Sequence, residues 1–158
     1  MYTVGKKVVH PMHGAGVIEE IVSRNEKEGP KIFYLIRFSV GSLTLLLPCD
    51  NCEAVGLRQT MTPEEAEEML ASLDEAPVEY EHNWSQRYKE NMARIRSGDM
   101  RQVAVVIRTL RRRDKKKNLS TGERKMLSSA KKIVISELAL VLDREYSEIE
   151  HIIDTVLV

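Results

Sequence analysis

The chain has 158 residues, enough for one ordinary domain or two small ones, and 42% of them are hydrophobic, enough to bury a core. The 30% of charged residues is balanced to a formal net charge of zero, which argues against a uniformly basic nucleic-acid binder. No apolar run approaches the ~18 residues that cross a bilayer; Met1-Tyr2-Thr3-Val4-Gly5 lacks the basic start of an export signal, and two cysteines suit a reducing cytoplasm, so a cytoplasmic protein with no membrane role is expected.

The first third of the chain has strand character. Lys7-Val8-Val9 leads through Gly14-Ala15-Gly16 into Val17-Ile18-Glu19-Glu20-Ile21-Val22. A turn-like Asn25–Pro30 precedes Ile32–Phe38, and Val40-Gly41-Ser42 separates that run from Leu43–Leu47, closed by Pro48. Short β-branched and aromatic runs punctuated by Gly and Pro predict a small antiparallel barrel or curled sheet.

From Thr62 the period becomes helical. Thr62-Pro63-Glu64-Glu65 supplies an N-cap, a proline at the first helical position and acids where the macrodipole favours them. Asp74-Glu75-Ala76-Pro77 breaks that helix. A second starts at Asn83 or Ser85 and ends at Ser97-Gly98; Asp99 with Gln102 caps a third, reaching about Lys116. Ser120 with Glu123, and Ser147 with Glu150, have the spacing of capping boxes for two more. In the last helix Ile149, Ile152, Ile153, Val156 and Leu157 form an apolar stripe. The expected class is α+β, with a β module at 1–56 and an all-helical module of about five helices at 61–158.

The zero net charge hides strong asymmetry. Residues 1–60 carry +1, residues 61–83 carry −8, residues 84–132 carry +12 from sixteen bases and four acids, and residues 133–158 carry −5. On the third helix, at ~100° per residue, Arg101, Arg108, Arg111, Arg112 and Lys115 fall within roughly one 100° sector, opposite Val103, Val106, Ile107 and Leu110. Solvated helix faces usually alternate in sign. This one does not, which predicts a phosphate track continued by Arg113, Lys116 and Lys117 and by Arg124 and Lys125 at the start of the next helix, whose free N–H groups attract anions. The bland alternative is that the basic stripe neutralises the acidic 61–83 segment within the fold. Trp84, the one tryptophan, is either a core residue or, with Arg87 and Lys89 following within about a turn, a ring that stacks on or wedges into distorted nucleic acid.

Two further motifs carry ligand-type side chains. Cys49-Asp50-Asn51-Cys52 and His10-Pro11-Met12-His13 together offer zinc-type ligands, yet each is weak alone and no βαβ context supports a redox motif, so no metal or other cofactor is expected. No Gly-rich phosphate loop, nucleophile elbow or paired carboxylate in an apolar setting is present, and an enzyme is not expected.

Three motifs nevertheless resemble one family. His10-Pro11-x-His13-Gly14-x-Gly16, then Asn83-Trp84-Ser85-x-Arg87-Tyr88-Lys89, then Arg112-Arg113-Asp114 with Leu119-Ser120-x-Gly122-Glu123-x-x-Met126-Leu127, are similar to the CarD/CdnL transcription regulators across nearly the whole chain. The first motif is shared with the polymerase-binding module of transcription-repair coupling factors. The resemblance implies a Tudor-like (SH3-like) β module that docks on the β subunit of bacterial RNA polymerase. It also implies a helical module on promoter DNA at the upstream fork of the transcription bubble, near the −10 element. There the ring aligned with Trp84 wedges into the minor groove and slows bubble collapse, while positions aligned with Lys89, Arg113 and Arg124 contact the DNA backbone. Arg24 and Thr44-Leu45-Leu46 match polymerase-binding positions. Leu46 departs from relatives that carry a basic residue there, which implies a more apolar or strand-like contact. Arg113 lies away from the main basic stripe on the angle count, and the two cysteines are not part of the family pattern. A monomer held at promoters through polymerase is the expected state. The competing reading from another class is a protein-interaction adaptor whose helices are only a platform.

Overall fold

The computed structural model describes residues 1–77 and 83–157. Strands β1 (Lys7–His10), β2 (Gly14–Glu26), β3 (Gly29–Phe38), β4 (Thr44–Pro48) and β5 (Arg58–Gln59) form one antiparallel sheet in the order β4-β3-β2-β1-β5. The expected turn at 25–30 shrinks to two residues, because β2 and β3 stay paired as far as Glu26 and Gly29. A register shift between Ile18 and Glu20 bulges Glu19 out of the ladder and curls the sheet. Period-two alternation buries Tyr34, Ile36 and Phe38 of β3 with Val8, Ile18, Leu47, Cys52 and Leu57 in a small core. The one-turn helix α1 (Cys52–Val55) returns the chain to β5, which pairs with β1, so the β module extends past the expected limit of residue 56.

Helices α2 (Pro63–Ala71), α3 (Trp84–Arg96), α4 (Met100–Lys116), α5 (Thr121–Leu142) and α6 (Tyr146–Val156) build the second module around a separate core. Thr62 and Glu65 form a full capping box, and Asn83 accepts from the Gln86 amide at 2.9 Å, which settles the start of α3. Asp99 caps α4 by accepting from Arg101 N. The Ser147 box does not form: α6 begins two residues earlier than that cap implies, at Tyr146, and its N-cap Glu145 makes no side-chain cap bond. The stripe itself is as read, with Ile149, Ile153 and Leu157 fully buried and Ile152 and Val156 packed beside them.

The two cores are joined through the C-terminal half of α5. The Glu137 carboxylate, 0% exposed, receives both Arg58 terminal nitrogens at 2.9 and 2.7 Å and the Met61 amide at 2.8 Å. One residue earlier, Ser136 Oγ accepts from the Ala15 amide at 3.0 Å and donates to Ile133 O. Lys7 Nζ reaches the Leu140 carbonyl. A buried carboxylate is tolerable only when its lone pairs are filled this way.

This junction explains the first glycine of the first motif, and the packing of β2 on β3 explains the second. Gly14 has φ +83°, and a Cβ there would stand 2.5 Å from Ser136 Oγ and 3.5 Å from the Ile133 backbone, so only glycine lets α5 sit on the sheet. Gly16 has no room because a Cβ would meet the Arg37 carbonyl at 2.7 Å. Gly14→Ala should lower unfolding stability by about 1.5–3 kcal/mol, from left-handed strain and displacement of the Ala15–Ser136 bond. Denaturant unfolding measures this, and a change below about 0.5 kcal/mol would mean the junction is loose.

Candidate nucleic-acid interface

Trp84 lies at the start of α3, where the chain also begins α5. Its ring stacks on Tyr88, one turn on, with centroids 5.1 Å apart and planes 25° from parallel. Its Nε1–H donates to Ser120 Oγ, the N-cap of α5, at 3.3 Å. Gly122 lies alongside, close enough that a Cβ on it would touch Trp84 Cζ2 and Tyr88 Cε2. The tryptophan nevertheless stays 47% exposed, so it is not a core residue. Glu81 and His82, which precede it, lie outside the described residues.

The expected basic stripe is only partly a surface. Arg87 is 5% exposed: its Nε and Nη2 bind the Glu123 carboxylate at 2.9 and 3.3 Å, which withdraws it from any phosphate. Arg108 is committed within the fold, where its Nη1 donates to the carbonyls of Asp74 and Ala76 and closes the turn after α2. Arg111 pairs with Asp154 of α6. Helical angle does not report that the first part of α4 is buried on more than one side, where Ala104, Val105 and Thr109 are buried besides the four expected apolar positions. Arg101 is exposed but faces a cleft shared with Glu65 and Glu68 of α2, roughly 21 Å along the axis from Lys115 at 1.5 Å per residue.

The cations of this stretch that stay exposed belong to the end of α4 and the start of α5, whose N-cap Ser120 is the residue Trp84 bonds. Lys115, Lys116 and Lys117 are exposed there, as are Arg112, Arg124 and Lys125; Lys89 is exposed on α3. Arg124 Nε also donates back to the Leu119 carbonyl. Arg113, off the main stripe as the angle count indicates, is half-buried and points its Nε at Glu123, 3.8 Å away. The N-termini of α3 and α5, each with a partial positive charge, meet at the Trp84–Ser120 bond. Tyr88, Ser120 and Glu123 were not assigned to the site from sequence, although Tyr88 follows Trp84 at the i+4 spacing that brings rings together.

On the β module, register separates the second set of residues by face. Thr44 stands opposite Arg37 and Leu46 opposite Leu35, on the outer side with Phe33 and Val22. Leu45 stands opposite Ile36 and packs onto the inner core. Arg24 and Lys31 hold their charges 5.8 and 5.9 Å from the Phe33 ring centroid. The outer face is thus an apolar strip flanked by cations, and β4 is an edge strand paired only with β3.

The two Cys and His pairs do not assemble: among the described residues no group of three or more His, Cys, Asp or Glu could hold a metal. Burial pushes the Cys52 thiol up to about 11 and Cys49 upward, away from thiolate. His10 and His13 instead pack against Phe38, and His10 Nδ1 accepts from the Met12 amide. Burial, with His13 alongside, lowers His10 to about 4, while burial and Lys132 lower His13. No helix among the described residues is long and apolar enough to cross a membrane.

The fold is of a two-module α+β type, a five-stranded antiparallel module fixed to a helical bundle with a half-exposed tryptophan at the start of α3. Residues 2–61 match the CarD-like/TRCF RID domain, a family of RNA polymerase-interacting domains, and residues 60–154 match the CarD C-terminal domain. The chain is also 32% identical over 141 residues, 89% of its length and 92% of the relative's, to the "Putative transcription factor YdeB" of Bacillus subtilis (strain 168). The chain therefore belongs to the CarD family of transcription regulators.

Two outcomes follow from this geometry. Arg87→Met should cost about 3–5 kcal/mol, because it strands the buried Glu123 charge, whereas Lys125→Ala should change stability by less than about 0.5 kcal/mol. Equal effects in denaturant unfolding would contradict the burial of the pair. The unfolded chain protonates His10 near 6.5 and the folded one only at about 4. That contribution to stability is fully present above 6.5 and is lost as pH falls towards 4. His10→Gln should therefore flatten part of the acid-side decline in unfolding free energy.

Proposed function

We propose that this protein binds RNA polymerase through the outer face and edge strand of its β module and stabilises promoter open complexes with its helical module. The observation that carries the reading is Trp84: a large ring, 47% exposed, set where the N-termini of α3 and α5 meet exposed cations. Such a ring suits a distorted or unstacked base step, and the surrounding Lys and Arg suit phosphates on either side.

In this reading DNA affinity on its own is weak, since a small cationic face makes mostly non-sequence-specific phosphate contacts. Docking on polymerase raises the local concentration of that face at the promoter. The β subunit is the docking partner that the family resemblance implies, with Arg24, Thr44 and Leu46 presented outward and Leu45 contributing through its backbone. A strand added along β4 would gain main-chain hydrogen bonds, and the Val22, Phe33, Leu35 and Leu46 strip would set specificity. Polymerase supplies the address, and deformed DNA supplies the shape. Trp84 inserted at the upstream fork must withdraw before the strands re-anneal, and replacing lost stacking of ~1–3 kcal/mol extends the open state about ten-fold or somewhat more.

The adaptor reading draws its support from Arg108 and Arg111, whose bonds within the fold are those of a structural platform. The two readings separate on one comparison. Trp84→Ala should keep polymerase binding and lose the lengthening of open-complex lifetime on a bacterial polymerase. Arg124→Ala and Lys89→Ala should each reduce the slope of log affinity against log salt for promoter DNA by about 1. An unchanged lifetime with Trp84→Ala would remove the wedge role, and an unaltered salt slope would remove the two cations from the interface.

A further inference from the structure

We propose that Ser120, backed by the buried Glu123–Arg87 pair, is a positioning residue that fixes the Trp84 ring in the orientation it presents at the surface. The hydroxyl of Ser120 is fully used. It accepts from Trp84 Nε1 at 3.3 Å and from the Glu123 amide at 3.2 Å, and it donates to Glu123 Oε1 at 3.3 Å. That same carboxylate is held by Arg87 at 2.9 and 3.3 Å and faces Arg113 at 3.8 Å. An ordinary N-cap needs only the bond to the backbone amide three residues on. Here the cap also accepts the one donor of the indole, and its own proton is fixed by a carboxylate that two arginines hold in place.

The consequence is a directional constraint. An exposed tryptophan on a helix end has free χ1 and χ2 wells, and stacking on Tyr88 alone fixes the plane of the ring but not its rotation within that plane. A hydrogen bond at Nε1 adds that missing restraint. The Nε1 and Cζ2 side of the indole is then held against Ser120 and Gly122 of α5, one face lies on Tyr88, and the remaining face and edge are turned outward. Glu123 is 2% exposed, so the anchor of this chain of bonds does not depend on solvent. The same glutamate that starts α5 therefore aims a residue on α3.

The ring's placement is a property of the free protein; its consequence for bubble lifetime rests on the wedge reading above. Because Trp84 is the one tryptophan in the chain, a single indole N–H signal in a ¹⁵N-correlated spectrum reports on this bond directly. Ser120→Gly keeps a competent N-cap while removing the acceptor, and Ser120→Thr restores it. Ser120→Gly should shift the indole N–H signal upfield and shorten open-complex lifetime by about two- to ten-fold, the range of one neutral hydrogen bond. Ser120→Thr should return both readouts towards the parent, with far-ultraviolet dichroism unchanged throughout. An indole signal unmoved in Ser120→Gly, or moved equally in Ser120→Thr, overturns the positioning role. So does a shifted signal with unchanged lifetime in a system where Trp84→Ala shortens it. If Trp84→Ala itself leaves lifetime unaltered, the wedge reading falls and the indole signal alone decides the positioning role.

Discussion

The whole arrangement depends on one helix being gripped at two places. In its C-terminal half, α5 offers Ser136 and Glu137 to the β module, where a fully buried carboxylate is held by Arg58 and the Met61 amide. At its start, α5 offers Ser120 and Glu123 to the end of α3 that carries Trp84. Sixteen residues of helix separate Thr121 from Glu137, roughly 24 Å of rigid rod. Both contacts use a buried glutamate against an arginine from another element. A buried pair of this kind adds little net stability against an apolar substitute, but it punishes any other geometry. The rod therefore sets the position of the tryptophan relative to the sheet.

Charge follows the same logic. The +12 segment is not a uniform binding face, because Arg87, Arg108 and Arg111 spend their guanidinium groups inside the fold. Arginine suits this use, since its planar fork satisfies two acceptors at once and keeps its charge when buried. Five of the cations that remain at the surface near the end of α4 and the start of α5 are lysines or the solvent-facing Arg124: Lys115, Lys116, Lys117, Arg124 and Lys125. Those at the end of α4 also complement its macrodipole, whereas Arg124 and Lys125 oppose that of α5. A bound anion would relieve the second pair, which is the electrostatic ground for reading this end as a phosphate surface.

Much of this was legible in the residues. Strand runs, the cap at Thr62 and the Ile149–Ile153–Leu157 stripe emerge from local pattern, because period and capping are properties of neighbours in the chain. Gly14 was visible, but its cause was not: Ser136 lies 121 residues from the Ala15 amide it binds. The arginines failed for the same reason. Helical angle reports which side of α4 a residue takes and says nothing about whether α6 or the turn after α2 covers that side, and Asp154 lies 43 residues beyond Arg111. Glu123 was read as a capping residue, which hid its second task as the partner of Arg87. Ser147 erred in the opposite direction, since a good capping pattern one residue inside a helix start is never used.

The measurement that bears most directly on the account is a cryo-electron-microscopy structure of the protein bound to a bacterial polymerase holding an open promoter. The account predicts Trp84 seated in the minor groove at the upstream edge of the bubble, β4 against the polymerase β subunit, and the Arg58–Glu137 and Ala15–Ser136 contacts kept as they are here. A helical module turned away from DNA, or engaged only after those two contacts break, would contradict the idea that α5 delivers the tryptophan as a rigid rod.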